Sequence, residues 1–229
     1  PFFLEDSTWW ILHIQLLFSE FTTGSWKWFF NNFSFQRFER SAALERLKHH
    51  LSIHMKRPPS SATIDRDLGC LLAMYSKVLP PVTSDPEDAI VSPFTSLGLM
   101  TRYRNSGYYR LHREKKRIPF SVFGYAVSKY ARSEFGDIVP GGLEIQYAGH
   151  SGEKFEESFV SLSKQENNPA RVFGLTDESL FELVQEYEDQ FGSENVSIGG
   201  MAGERTLKLT LHEPEHWLCD IYSAKEAAA

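Results

Sequence analysis

The chain has 229 residues, of which 41% are hydrophobic and 14% aromatic, and its formal net charge at pH 7 is −6. This length and composition indicate a globular protein with one large domain or two small ones. Two cysteines without CxxC spacing argue against a disulfide scaffold and a zinc ribbon, and no apolar run reaches the roughly 20 residues that cross a bilayer. We therefore expect a cytoplasmic protein with no membrane partner.

Charge is distributed unevenly along the chain. Residues 1–133 carry 18 Lys and Arg against 11 Asp and Glu, whereas residues 134–229 carry 6 against 19. A local excess of positive charge favours contact with an anionic partner, so we expect the first region to bind an anion. The chain also begins at Pro1, without a Met and in the middle of an apolar pattern, and we expect it to be part of a longer protein.

Two aromatic helices are predicted first. Asp6 or Ser7 can cap the first one, because a short side-chain oxygen accepts a hydrogen bond from a free backbone N–H. The residues expected on its apolar face are Trp9, Trp10, Leu12, Leu16 and Leu17. A second helix is predicted over residues 26–33. We interpret residues 1–38 as a helical packing segment without chemistry.

The next segment, residues 39–133, has the element order of a winged helix-turn-helix. Its first helix is predicted over residues 41–55, with an apolar face made of Leu44, Leu47, Leu51 and Met55. A pair of prolines ends that helix, and a pair of serines can cap the next one, over residues 62–75. The buried face of this second helix is predicted to be Ile64, Leu68, Leu71, Leu72 and Tyr75.

A basic β-hairpin is predicted after a loop at residues 80–88. Its strands extend over residues 101–104 and 108–113, and Gly107 between them has the backbone freedom that a tight turn requires. A further helix is predicted over residues 119–133.

This element order predicts DNA binding. In a winged helix, the first turn of the second helix enters a groove, and the hairpin, or wing, meets the backbone. Lysine and arginine neutralise phosphates, and tyrosines between them can stack on an exposed base. The predicted contacts with double-stranded DNA are Thr63, Arg66, Arg102, Arg104, Arg110, Arg113, Lys115, Lys116 and Arg117. The alternative is a winged helix used only for protein contact, with a solvated basic face.

Residues 134–229 are interpreted as a small acidic α/β region. Residues 143–147 are predicted to be a short strand or the start of a helix, and residues 149–157 a mobile loop. The predicted fold class is therefore α+β and mostly helical. It comprises a central winged helix-turn-helix with a basic β-hairpin wing, and a small C-terminal α/β region.

Clearer signals follow in the last third of the chain. Thr176 and an acidic first turn predict the start of a helix over residues 177–191, and Gly192 predicts its end. Alternating apolar residues predict a strand over residues 206–211.

Several patterns that look like functional motifs have simpler explanations. The letters HEPEH at residues 212–216 place Pro214 inside a zinc motif that needs an unbroken helix. His50 and His54 have a spacing that can hold a metal, and are more simply exposed helical residues. Cys70 lies in an apolar helix and is interpreted as a core residue.

Two other patterns resemble phosphate or metal sites. The glycines at residues 199–203 lack the Lys and Ser/Thr of a P-loop and are interpreted as a tight turn. Asp137 and Glu144 weakly resemble the acidic pair with which some nucleases bind Mg²⁺, but the expected lysine is missing. No cofactor is evident from the residues themselves.

Taken in order, several short stretches resemble the SspB-type family of bacterial DNA-nicking proteins, formerly catalogued as a domain of unknown function. The similarity is to the C-terminal portion of that family and covers most of the chain. The matching stretches are residues 4–6, 9–13, 26–31, 63–75, 92–94, 97–99, 168–173 and 201–203.

The resemblance implies strand nicking in a DNA phosphorothioation and phage-defence system, with Mg²⁺ or another divalent metal. The nick opens one strand so that sulfur can replace a non-bridging phosphate oxygen. The implied partners are a cysteine desulfurase, an ATPase and a sulfur-transfer ATP pyrophosphatase. No catalytic residue can be carried over, because no family motif fixes one. The family has an additional N-terminal DNA-binding segment, which leaves open how much of the activity this chain carries.

One departure from the family precedes Arg171. Residues 168–170 are Asn-Pro-Ala where the family has Ser-Pro-Gly. Since an arginine in a matched loop can hold a phosphate, Arg171 is a further predicted DNA contact. It can equally anchor its loop on an acidic helix such as residues 177–191.

Overall fold

The computed structural model describes residues 6–19, 24–79, 91–136, 144–147, 150–201 and 203–223. They form a mostly helical α+β fold in two compact units, residues 1–113 and 114–229, which confirms the predicted class. The predicted loop at 80–88 lies outside the described residues. The division of the chain into segments 1–38, 39–133 and 134–229 stays a prediction. Within the described ranges, no helix is both long and apolar enough to span a membrane.

Unit 1 (residues 1–113) begins with two aromatic helices, α1 (Asp6–Phe18) and α2 (Gly24–Asn32). On α1, Trp10 and Leu17 are buried as predicted, whereas Leu12 is 40% exposed. The prediction for Leu12 was wrong because two residues correspond to about 200° around a helix, which turns Leu12 away from Trp10. His13 is buried, and its Nδ1 lies 2.8 Å from the Tyr75 hydroxyl, so this histidine is a hydrogen-bonded core residue.

The predicted helix pair is α3 (Arg40–His54) and α4 (Ser61–Tyr75). All five residues predicted for the buried face of α4 are buried. Met55 lies beyond the end of α3 and is 41% exposed, so its predicted place on the apolar face was wrong. The prediction that Cys70 is a core residue was also wrong: Cys70 is exposed, because it lies two positions from the buried Leu68.

A four-stranded sheet completes unit 1. Its strands are β1 (Arg37–Phe38), β2 (Ser76–Leu79), β3 (Met100–Tyr103) and β4 (Tyr109–Leu111), in the order β1-β4-β3-β2. The hairpin of β3 and β4 confirms the predicted one, with Gly107 at a φ of 69° in its turn. β2 lies parallel to β3, and a short 3₁₀ helix, Pro93–Leu97, precedes β3.

Unit 2 (residues 114–229) contains an antiparallel sheet in the order β5-β6-β8-β7. Its strands are β5 (Glu144–Tyr147), β6 (His150–Ser158), β7 (Val196–Met201) and β8 (Glu204–Leu211). The prediction of a mobile loop at 149–157 was wrong for residues 150–157, because these residues belong to β6, which pairs with both β5 and β8; residue 149 lies outside the described residues. Gly199 and Gly200 likewise continue β7 instead of forming a tight turn, whereas Gly203 has a φ of 87°.

The helices of unit 2 are α5 (Phe120–Phe135), α6 (Phe159–Lys164), α7 (Pro169–Phe173), α8 (Asp177–Phe191) and α9 (Pro214–Ser223). The predicted bounds of α8 are confirmed, and Thr176 Oγ1 accepts a hydrogen bond from the Ser179 amide at its start. Gly124 on α5 gives room for the buried Trp217, since an added Cβ would lie 2.6 Å from the indole ring. This contact fixes α9 against α5.

Candidate nucleic-acid interface

The hairpin of unit 1 presents three exposed arginines, Arg102, Arg104 and Arg110, which we call the wing arginines. Backbone hydrogen bonds from the Tyr103 amide to the Tyr108 carbonyl and from the Gly107 amide to the Tyr103 carbonyl close the hairpin turn. Within the described residues, none of the wing arginines forms an ion pair. Exposed guanidinium groups of this kind can contact an external anion such as a phosphate.

A fourth arginine joins this group from β1. Arg37 is directly opposite Arg110 in the β1–β4 register, and both side chains are exposed. Arg37 lies over the Tyr108 ring at 4.4 Å, in cation–π geometry. A hydrogen bond to Glu39 raises the pKa of Tyr108, because it favours the protonated hydroxyl. Sequence reasoning missed Arg37, since a two-residue strand shows no periodicity.

The first turn of α4 is capped as predicted. The Ser60 Oγ accepts a hydrogen bond from the Thr63 amide at 3.2 Å, and the Thr63 hydroxyl lies 2.9 Å from the same oxygen. Arg66 is exposed. Asp65 pairs with Arg40 at 2.8 Å, and this contact lowers the pKa of Asp65 and raises that of Arg40. The ion pair joins α3 to α4 and leaves Arg66 directed to solvent.

Arg113 has a different environment from the wing arginines. It is half-buried, and its Nη2 donates a hydrogen bond to the Phe33 carbonyl at 2.9 Å. Since Phe33 follows α2, the contact ties the end of the hairpin to the aromatic helices of unit 1.

The remaining predicted contacts lie in unit 2. Lys115 Nζ is 2.5 Å from Glu186 and 3.6 Å from Glu182, and the hydrogen bond to Glu186 raises its pKa. Arg117 is exposed and, among the described residues, has no ion-pair partner. Arg171 is half-buried in α7, where its amide donates a hydrogen bond to Asn168 Oδ1 at 3.0 Å.

Lys116 is half-buried beside Arg117. Its Nζ donates hydrogen bonds to the carbonyl of Gly174 at 2.7 Å and to that of Glu114 at 3.1 Å. Burial removes water from the ammonium group and lowers the pKa of Lys116 to about 8. The amine is therefore engaged inside unit 2.

The histidine pairs occupy separate places. The rings of His50 and His54 on α3 lie 4.3 Å apart. Pro214 is the first residue of α9, so His212 precedes that helix and His216 lies in its first turn, with the two rings 4.8 Å apart. Asp137 lies outside the described residues.

Comparison with known proteins gives the family. A match to DUF4007, described as a protein of unknown function, extends over residues 1–222. The chain belongs to the DUF4007 family. No curated protein matches the sequence.

Two solved structures share the fold of this family member. One is a crystal structure of SspB, with a TM-score of 0.72, and the other is a magnesium-ion-bound crystal structure of SspB, with a TM-score of 0.73. Each is 20% identical, and the similarity covers 97% of this chain and 62% of the SspB chain. The chain thus spans about three-fifths of SspB and has the fold of that part, which confirms the predicted resemblance.

Magnesium in one SspB structure raises the question of metal ligands in this chain. Across the described part of the chain, no group of three or more His, Cys, Asp or Glu residues is placed to hold a metal ion. We therefore assign no residue to a metal.

Proposed function

We propose that unit 1 is a winged helix-turn-helix that binds duplex DNA. The further proposal is that the chain is the DNA-binding and strand-nicking component of a phosphorothioate modification and phage-defence system. The observation that carries the DNA-binding proposal is a hairpin with three exposed arginines, none of them ion-paired within the described residues, beside a helix pair whose second helix is capped by Ser60.

The connectivity of unit 1 supports this proposal. A winged helix has a helix, a short strand, the helix-turn-helix pair and a hairpin that pairs with the short strand. Here these parts are α2, β1, α3 with α4, and the hairpin of β3 and β4, with β1 paired to β4. In this arrangement α4 is the recognition helix, and its first two turns carry Thr63 and Arg66.

The positions of the charged residues support different DNA contacts for α4 and for the hairpin. Arg66 is exposed on α4 and has the fork of donors that reads a guanine edge or binds a phosphate. The wing arginines are suited to phosphates, which gives affinity that falls with salt. We retain Arg113, Lys115, Lys116, Arg117 and Arg171 as weaker proposed contacts.

The nicking proposal comes from the family resemblance and from the fold shared with SspB. In this proposal the partners are double-stranded DNA, a cysteine desulfurase, an ATPase and a sulfur-transfer ATP pyrophosphatase. The chain would nick one strand with a divalent metal so that sulfur can be introduced. No residue is assigned to the chemical step.

A second candidate function is a non-catalytic scaffold that binds DNA and recruits the sulfur machinery. The observation that favours it is the acidity of unit 2, where 20 Asp and Glu stand against 11 Lys and Arg. On α8, exposed acidic residues such as Glu178 and Asp189 provide a face suited to a basic protein partner.

The test of the proposed function is duplex binding as a function of salt, with Arg102, Arg104 and Arg110 changed together to Ala. Each lost phosphate contact lowers the slope of log K against log salt by about 0.9, so we expect a loss of about 2 to 3 units. The matched control changes Lys154, Lys164 and Lys208 to Ala, which removes the same charge from unit 2. A slope that falls equally in both variants, or a wild type that does not bind, would refute DNA binding through the wing.

A plasmid assay separates the enzyme from the scaffold. Supercoiled plasmid with Mg²⁺ becomes open-circular if the chain nicks DNA. Salt-sensitive binding without nicking favours the scaffold, and neither activity favours a protein-interaction module.

A further inference from the structure

Arg37 and Arg110 lie directly opposite each other where β1 pairs with β4 of the hairpin. We propose that Gln36, Arg37, Tyr103, Ser106 and Arg110 form a binding pocket for the terminal phosphate of a DNA strand, a phosphomonoester. This inference rests on the proposed function, because it names the DNA group that unit 1 holds.

Strand register places the lining side chains on one face. Arg37 and Arg110 are directly opposite on β1 and β4, and Thr101 is opposite Arg110 on β3. Tyr103 is two residues beyond Thr101 and therefore shares its face. The cavity has a volume of about 330 Å³ and is lined by Arg37, Arg110 and Tyr103 together with Gln36 and Ser106. That volume is at the small end for ligand pockets and suits one compact group.

The electrostatics of this pocket call for an anion. Like charges directly opposite on neighbouring strands destabilise a sheet. Among the residues that the structure describes, no carboxylate lines the cavity, and neither Arg37 nor Arg110 forms an ion pair. The acid next to β1, Glu39, is engaged by Tyr108. A bound anion would therefore relieve the repulsion between these two positive charges.

The pocket is also partly preorganised. Arg37 is held over the ring of Tyr108 at 4.4 Å, and Tyr108 is in turn held by its hydrogen bond to Glu39. A fixed guanidinium has two parallel N–H donors that match two oxygens of a phosphate. Tyr103 and Ser106, which also line the cavity, carry hydroxyl groups that can act as hydrogen-bond donors.

Charge matching favours a terminal phosphate over an internal one. An internal phosphodiester carries one negative charge, whereas a phosphomonoester carries about two near neutral pH. The two positive charges of Arg37 and Arg110 therefore balance the charge of a phosphomonoester. Hydrolysis of a phosphodiester by water leaves one strand end as a phosphomonoester and the other as a hydroxyl, so a strand nick creates the group that this pocket fits.

The experiment compares two short duplexes of identical sequence, one with phosphorylated strand ends and one with hydroxyl ends, by competition in fluorescence anisotropy. We expect the intact chain to prefer the phosphorylated duplex by about tenfold, the effect of a bidentate charge-assisted contact. Arg37→Gln and Arg110→Gln should each abolish the preference. Arg46→Gln is the matched control, because Arg46 is exposed and lies over Phe35 at 4.2 Å, outside the pocket.

The outcomes are distinguishable from those of the proposed function. Salt-sensitive binding without a preference overturns the pocket and leaves DNA binding intact. A preference that survives both glutamine variants also overturns it. If the chain binds neither duplex, both proposals fail. Circular dichroism of each variant shows whether the fold is retained. Arg37→Lys keeps the positive charge but lacks the two parallel N–H donors of a guanidinium group. This variant should weaken the preference without changing the fold.

Discussion

The wing arginines and the basic residues 115–117 belong to one basic run in the sequence, yet their surroundings differ. Arg102, Arg104 and Arg110 are exposed, and none of them forms an ion pair within the described residues. Lys115 is paired with Glu186, and Lys116 donates hydrogen bonds to two backbone carbonyls. A count of basic residues thus overstates the charge available to DNA, because a compensated lysine attracts phosphate less strongly.

Secondary structure explains the difference. In the hairpin, Arg102 and Arg104 alternate with Tyr103, so the strand itself carries charge out to solvent near a turn. Residues 114–117 belong to no helix or strand and precede α5, and among them Lys115 contacts the acidic α8 and Lys116 contacts the carbonyl of Gly174. This contrast can be tested by changing Arg113, Lys116 and the partners of Lys115.

The first prediction concerns Arg113, which lies between the two groups. Arg113→Ala should lower the free energy of unfolding by about 1 to 3 kcal/mol, because the Phe33 carbonyl loses a hydrogen bond from a charged donor. The measurement is urea denaturation. Arg104→Ala is the control, with an expected change within about 0.5 kcal/mol, as for an exposed side chain. Equal destabilisation by both variants would remove the distinction.

The second prediction uses the lowered pKa of Lys116. A folded pKa of about 8 lies below the ordinary value of 10.5, so between these values the unfolded chain binds more protons. The free energy of unfolding should therefore rise with pH across that window, by about 1 kcal/mol after allowance for the carbonyls that stabilise the charged amine. Lys116→Met should lack this rise, measured as the difference between wild type and variant at pH 7.5 and 10.

An unchanged pH dependence in Lys116→Met would show that the amine is solvated. Other groups titrate in the same range, and the difference between the two proteins cancels their contribution.

The third prediction releases Lys115. Changing Glu182 and Glu186 to Gln removes its partners, and the salt slope of duplex binding should steepen by less than about 1 unit. Stability should change little, since these ion pairs are exposed to solvent. The control, Glu178→Gln with Asp189→Asn, makes the same charge change on α8. A similar slope in both variants would mean that overall charge, and not Lys115, is responsible.

Some elements could be predicted from the sequence because local signals agreed. The bounds of α8 are set by a Thr176 cap, an acidic first turn and Gly192. The buried face of α4 follows from apolar residues at helical spacing, and its start follows from Ser60. The hairpin followed from a glycine turn between alternating residues.

Other features depended on tertiary contacts. In β6 the buried Phe155 lies among charged residues, and the strand exists because β5 and β8 pair with it. Leu12 and Cys70 are apolar residues on the solvent-facing side of their helices, and composition alone does not reveal this position. Arg37 acquires its place only through pairing with β4, so no local pattern marks it as part of the candidate site.

The β1–β4 pairing has a consequence for the order of folding. The hairpin of β3 and β4 closes over a few residues, whereas Arg37 and Arg110 are about 70 residues apart in the chain. Closing a long loop loses more chain entropy, so nearby strands associate before distant ones. The wing can therefore form early, while the pair of arginines is complete only when β1 docks. Binding of a strand end would then require that β1 has already paired with β4 and that the sheet of unit 1 is complete.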